Sequence, residues 1–275
     1  MTKFEIPFNF NFDGEYFNLL DERKELFQRI DCIYMPSFEK GGLTNTRVDL
    51  VKYPKSEEEY VGYIREFQKR NIDVTILMQK NSSMEMVGKY HNEYGINDFT
   101  INNNELAFKI KEKYPNIKLR LSITAKATVD DINNHALDAY DNIVLFFWFN
   151  RHLDVIKKLP KTHEYSVLCN TRCLYNCPYC DRHWFEVGYR VECMDEKIYS
   201  GIELDFNRIA FIRPCDLKYF EDYVSVFKLE GRECISKGIF AEFDKYILLK
   251  EIKRPLGNFN YDDIISNYNK KDDYL

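Results

Sequence analysis

Apolar residues along this chain fall into two alternating kinds of block. In one they recur every three or four positions, as on one face of a helix. In the other they follow one another over four to eight positions, as in a strand covered on both sides. Residues before Asp21 read as a polar lead-in, Asp21 to Gln28 as a helix, and Ile30-Asp-Cys-Ile-Tyr-Met-Pro as a first strand. Ser56 to Arg70 carries Tyr60, Tyr63, Ile64 and Phe67 at helical spacing, and a Ser-x-x-Glu capping box at Ser56 and Glu59 predicts its start. It runs into the strand Val74-Thr-Ile-Leu-Met. The alternation continues with a helix from Ser83 to Glu93, a strand from Asp98, a helix from Asn104 to Lys113, a strand from Lys118, and a helix from Val129 to Ala139 capped by Thr128. Asn142 to Phe149 is apolar on nearly every position, as a strand of a parallel sheet is.

A helix from Arg151 to Leu159 and a strand from His163 to Cys169 follow. After a cysteine-bearing segment, Arg208 to Arg213 predicts a seventh strand, Cys215 to Val224 a helix, and Ser225 to Glu230 an eighth strand. Repeated βα units of this number, wound one way by right-handed crossovers, predict a closed (β/α)8 TIM-like barrel with a long cysteine-bearing insertion after strand 6. An open doubly wound sheet is the alternative. Ile239 to Leu249 reads as a closing helix, and a polar extension begins at about 251, so that residues 1–275 form one barrel domain.

Composition narrows the class. Hydrophobic residues make up 45% of the chain and aromatic residues 16%, enough for a large core. The longest apolar run, Ile143 to Phe149, is far short of the roughly 20 residues of a spanning helix, which predicts a cytoplasmic protein without a membrane span. A formal net charge of −5 gives no global attraction for nucleic acid. In a reducing compartment, clustered cysteines point to metal binding or catalysis rather than disulfides.

Four of the eight cysteines lie in Cys169-Asn-Thr-Arg-Cys173-Leu-Tyr-Asn-Cys177-Pro-Tyr-Cys180-Asp-Arg-His183. Gaps of three and two residues between Cys173, Cys177 and Cys180 suit a loop around an iron–sulfur cluster, whose irons take thiolate ligands from different directions. Cys193 lies further along the same insertion, and Cys215 follows the next predicted strand. A structural zinc site with four thiolate ligands is the metal alternative, although a second Cys-x-x-Cys is absent. Cys32 and Cys169 fall inside strand patterns and read as small apolar side chains, and Cys234 as a spectator. His183 is a candidate base or second donor. Arg151, Arg182, Arg213 and Arg232 follow strands or cysteines, where a carboxylate or phosphate would be held. Asn102, Asn103 and Asn150, at strand ends, fit either helix caps or ligand contacts.

Two families resemble parts of this pattern. Cys173-x-x-x-Cys177-x-Tyr179-Cys180 is similar in spacing to the radical SAM signature, which implies an open iron that binds S-adenosylmethionine. The succession Asp141-Asn-Ile-Val-Leu, Phe149-Asn-Arg-His-Leu-Asp, Cys169 to Pro178, His183, Phe211-Ile-Arg-Pro-Cys215-Asp-Leu-Lys-Tyr and Phe227-Lys-Leu-Glu-Gly-Arg232 resembles the peptidase U32 family, from about Ile96 to Arg232. That resemblance implies a barrel carrying a cysteine-ligated [4Fe–4S] cluster. Members act in hydroxylation of ubiquinone precursors or RNA bases, or carry the older protease name. It places ligands at Cys173, Cys177 and Cys193, with Cys180 or Cys215 as the fourth. Cys180 departs from the arginine usual there. The implied function is an oxidoreductase acting on an RNA base or small aromatic metabolite, with His183, Arg213 and Arg232 as catalytic candidates. A radical SAM enzyme, a U32-type peptidase and a non-catalytic iron–sulfur sensor or partner subunit stand as the alternatives.

Overall fold

The first strand of the barrel is one that the hydrophobic pattern conceals. The computed structural model describes residues 1–39, 42–43, 54–78, 82–171, 173, 210–232 and 234–252. Eight parallel strands close a ring: β1 (Lys3–Pro7), β2 (Ile30–Pro36), β5 (Val74–Leu77), β6 (Asp98–Ile101), β7 (Lys118–Leu121), β8 (Asn142–Leu145), β9 (Glu164–Leu168) and β10 (Val226–Lys228). A small antiparallel hairpin, β3 (Phe38–Glu39) and β4 (Gly42–Leu43), stands outside it. The closed ring is the (β/α)8 barrel expected, and it excludes the open sheet. Two assignments change. Lys3–Pro7, read as lead-in, is the strand that closes the ring between β2 and β10. Arg208 to Arg213 is not a strand over its described part, 210–213. The cysteine segment therefore follows the seventh barrel strand, not the sixth.

Along each strand, alternate residues face opposite sides. One set is apolar and packs under the helices, as Phe4, Ile6, Ile33, Ile76, Phe99, Leu119, Ile143 and Phe227 do, all fully buried. The other set lines the barrel axis and is largely polar. Thr75 Oγ1 lies 3.1 Å from Thr100 Oγ1, and Ser166 donates to Asn142 Oδ1 at 2.8 Å. Arg120 of β7 forks onto Asp98 of β6 and crosses the interior to Asp31 of β2 at 2.6 Å. Burying these groups is tolerable because nearly every one finds a partner.

The helices are α1 (Tyr16–Asp21), α2 (Glu57–Lys69), α3 (Met84–Tyr94), α4 (Asn104–Lys113), α5 (Val129–Asn133), α6 (Leu153–Ile156) and α7 (Ser236–Ile252). Ser56 caps α2 by accepting from the Glu59 amide, but Glu59 reaches back to the amide of Lys55, not of Ser56, so only half of the expected box forms. Thr128 and Asp131 form the full box on α5, which ends early because His135 turns into the left-handed region at φ 60°. Helices expected over Asp21 to Gln28 and Cys215 to Val224 tighten into 3-10 turns at Lys24–Arg29 and Pro214–Tyr219. Phe8, Tyr16 and Phe67 meet edge to face, with ring centroids 4.8–6.1 Å apart, and Phe240 of α7 joins them against Tyr16. This aromatic layer ties α1, α2 and α7 over the seam between first and last strands.

Candidate active site

All eight barrel strands end on one face, where sites in such barrels are built from the loops that follow. Tyrosine hydroxyls bond carbonyls at or just beyond several of those ends. Tyr16 donates to the Pro7 carbonyl at 2.9 Å, Tyr60 to Pro36 at 2.8 Å and Tyr34 to Leu229 at 2.8 Å. Tyr246, on α7, donates to both Cys169 and Ile212 carbonyls, at 3.1 and 2.8 Å. The ring of each tyrosine fills core while its hydroxyl satisfies a carbonyl that has left the strand ladder.

The chain leaving β9 is fixed in the same manner. Asn170 donates to the Glu230 carbonyl at 3.0 Å and accepts from the Glu230 amide at 2.8 Å, joining the exits of β9 and β10. Thr171 Oγ1 accepts from the Cys173 amide at 3.2 Å. Residues 210–212 run alongside: the Ala210 amide donates to the Cys173 carbonyl and the Ile212 amide to the Cys169 carbonyl, each at 2.9 Å. Asn150 bonds the Leu168 and Ala210 carbonyls with one amide nitrogen, at 2.8 and 2.7 Å. Cys173 is thus half-buried on a backbone held from both sides.

Cys215 is buried in the turn after the returning segment, its thiol 3.6 Å from Asp216 Oδ1. Asp216 is in turn held by Arg213, whose Nε and Nη2 reach the two carboxylate oxygens at 2.5 and 3.2 Å. Of the sequence candidates, the structure brings Cys173, Cys215, Arg213 and Arg232 to this face. Cys177, Cys180, His183, Cys193 and Arg182 lie outside the described residues. Among the described residues no group of three or more His, Cys, Asp or Glu side chains is arranged to hold a metal. Arg151 is fully buried and donates to the Phe211 and Asn150 carbonyls, a structural role. Asn103 is the cap of α4 and Asn102 bonds Thr124. Cys32 and Cys169 are buried as expected; burial raises both thiols above the ordinary range, and Cys169 donates to the Lys228 carbonyl at 3.3 Å. Cys234 is exposed.

Sequence reasoning passed over a charged group at the floor of this face. Lys228, the last residue of β10, contacts Glu5 of β1, and its Nζ lies 3.8 Å from the Tyr34 ring centroid. The Arg232 guanidinium lies 5.8 Å from the same centroid. The available signal was a lysine inside an apolar strand, Phe227-Lys-Leu, but nothing local named its partner 223 residues away. Burial first, and Arg232 second, push the Lys228 ammonium well below its ordinary range.

No family model matches the chain. An uncharacterized protease of Methanocaldococcus jannaschii is 31% identical over 96 residues, an alignment that covers 30% of this chain and 29% of that protein. Over that stretch the chain resembles a U32-family protein. The alignment spans under a third of the relative's length. Among solved structures, the U32 peptidase Mk0906 superposes on this chain with a TM-score of 0.49 at 15% identity, covering 74% of this chain and 85% of that one. A 2,3-dimethylmalate lyase of the PEP mutase/isocitrate lyase superfamily superposes with a TM-score of 0.40 at 10% identity, covering 98% and 90%. No helix among the described residues is long and apolar enough to cross a membrane.

Proposed function

We propose that this chain is a U32-like iron–sulfur oxidoreductase. It holds a [4Fe–4S] cluster on the carboxyl-end face through Cys173, Cys177, Cys180 and Cys193, with Cys215 as the alternative fourth ligand. The observation that carries the reading is the placement of Cys173. The first thiol of the run stands where a barrel strand delivers its chain to the working face, on backbone bonded to Thr171 on one side and Ala210 on the other. Three further residues act on that placement: Asn170 locks the β9 exit to the β10 exit, Asn150 ties the returning segment to β9, and Tyr246 pins both from behind. The donor set fits the group, since thiolates are the usual ligands of iron–sulfur clusters. Cys215 ranks second because its thiol is buried and already engaged with the Asp216 carboxylate. When bound, the cluster supplies one-electron transfer or a Lewis-acidic iron. Arg213, its charge committed to Asp216, shapes the rim, whereas Arg232 faces the mouth and suits an anionic or aromatic substrate. An RNA base or a small aromatic metabolite is the substrate class, and a cytoplasmic location goes with it.

Protein purified without air is expected to be brown and to contain about four irons and four sulfides per chain. Cys173→Ser should lose the cluster and keep the barrel, because apolar burial around the strands, not the metal, holds the fold. Equimolar zinc without sulfide overturns the proposal. Adding S-adenosylmethionine to the reduced protein should leave the cluster's paramagnetic spectrum unchanged; formation of 5′-deoxyadenosine would instead select the radical reading. The aligned protease of M. jannaschii favours one second reading, a peptidase, and cleavage of a peptide library by the iron-free chain would select it.

A further inference from the structure

The floor of the carboxyl-end face holds a titratable pair that the cluster leaves unused. Glu5 and Lys228 touch across the seam between β1 and β10, where Glu5 is the register partner of Lys228. They sit at unequal depth. Glu5 is fully buried, while Lys228, the last residue of its strand, keeps 8% of its surface exposed. Behind the pair, Glu5 Oε2 has no hydrogen-bond partner and lies 3.8 Å from Arg120 Nη1, which also has none. The carboxylate is therefore shared between a fixed cation inside the barrel and a titratable one at its mouth.

We propose that Lys228 is the acid–base residue of this face, exchanging a proton with an oxygen of the bound substrate while Glu5 holds it from inside the barrel. In the forward direction the Nζ–H bond breaks, the electron pair stays on nitrogen as a neutral amine, and an O–H bond forms on the substrate. Solvent reprotonates the amine. The substrate class is one with a carbonyl or comparable oxygen that gains negative charge during reaction. This deepens the proposed function and rests on the carboxyl end being the working face.

The surroundings make the proton mobile rather than fixed. Glu5 and the face of Tyr34 favour the ammonium, whereas burial and Arg232 favour the amine. Arg120 draws on the same carboxylate from below, and Cys32 lies deeper, beside Arg120. From β9 comes Cys169, whose thiol is spent on the Lys228 carbonyl, and Glu230 on the β10 exit is engaged through its backbone with Asn170. A lysine so balanced gives up its proton more readily than one in an ordinary surface ion pair.

The test is reductive methylation of the full chain with 13C-formaldehyde, followed by NMR titration of the dimethyl-lysine signals, with the signal lost in Lys228→Arg giving the assignment. The Lys228 midpoint should lie below those of surface lysines such as Lys69 and Lys109. Arg232→Gln should raise it by removing a repelling cation, and Glu5→Gln should lower it by removing the attracting carboxylate. Should Glu5→Gln fail to fold, the wild-type midpoint and Arg232→Gln decide the matter. A midpoint equal to the surface lysines and unmoved by Arg232→Gln overturns the proposal and leaves a structural ion pair. The readout needs no cluster, so a chain without iron would sink the iron–sulfur reading and leave this one standing.

Discussion

Asp31 shows how the charged axis of the barrel couples stability to pH. Burial works against its carboxylate, but Arg120 and Lys118 outweigh it and hold the group below its ordinary value of 3.8. A carboxyl with a depressed folded value stabilises above its unfolded value and loses that contribution as pH falls through the folded one. Urea unfolding measured from about pH 6 down to about pH 2 should show wild type losing stability below about pH 4. Asp31→Asn should be less stable than wild type near neutrality, and the gap should close in acid; a pH-independent gap would refute the linkage. The same scale explains what the sequence disclosed of the site. That Cys173 and Arg232 stand beyond strand ends was legible, the first from thiols at short spacing and the second from a guanidinium after a strand; Arg213 was placed there through a strand that does not form over its described part. Glu5, Lys228, Asn170 and Tyr246 were not legible, since each gains its meaning from a partner at least 34 residues away.

At the scale of elements, α7 bears on the site through one hydroxyl. Tyr246→Phe keeps the ring in the core but removes the donor shared by the Cys169 and Ile212 carbonyls, at a cost of about 1 to 3 kcal/mol. Urea unfolding should report that loss, and amide exchange at Ala210 and Ile212 should quicken; unchanged exchange would show that the returning segment is held without α7. Elements were legible where local pattern and tertiary role agree. The helix read over Asn104 to Lys113 is α4 to the residue, with Asn103 as its cap. Lys3–Pro7 failed the test of pattern because an interior glutamate and a terminal proline break the apolar run of a covered strand. The segment read as a strand from Arg208 passed that test and its described part is still no strand, because the Ala210 and Ile212 amides go to the chain leaving β9 and not to a neighbouring barrel strand. Propensity describes a segment, and pairing decides it.

For the whole molecule, closure of the ring is the step on which everything else depends. Removing residues 1–7 opens β2 and β10 to solvent on one edge each and strips Lys228 of Glu5. The truncated chain should unfold without a cooperative transition by circular dichroism and bind an apolar dye; a sharp transition near that of the full chain would mean that the remaining strands close by themselves. That seam also has a consequence during synthesis. A ribosome releases the chain amino end first, so β1 emerges before β10 and waits for it, more than two hundred residues behind, before either edge is covered. Until β10 emerges the nascent protein carries an exposed parallel edge and a glutamate without its lysine. Pairings of such sequence separation form slowly, so closure of the ring is expected to lag behind the folding of the βα units between its two ends.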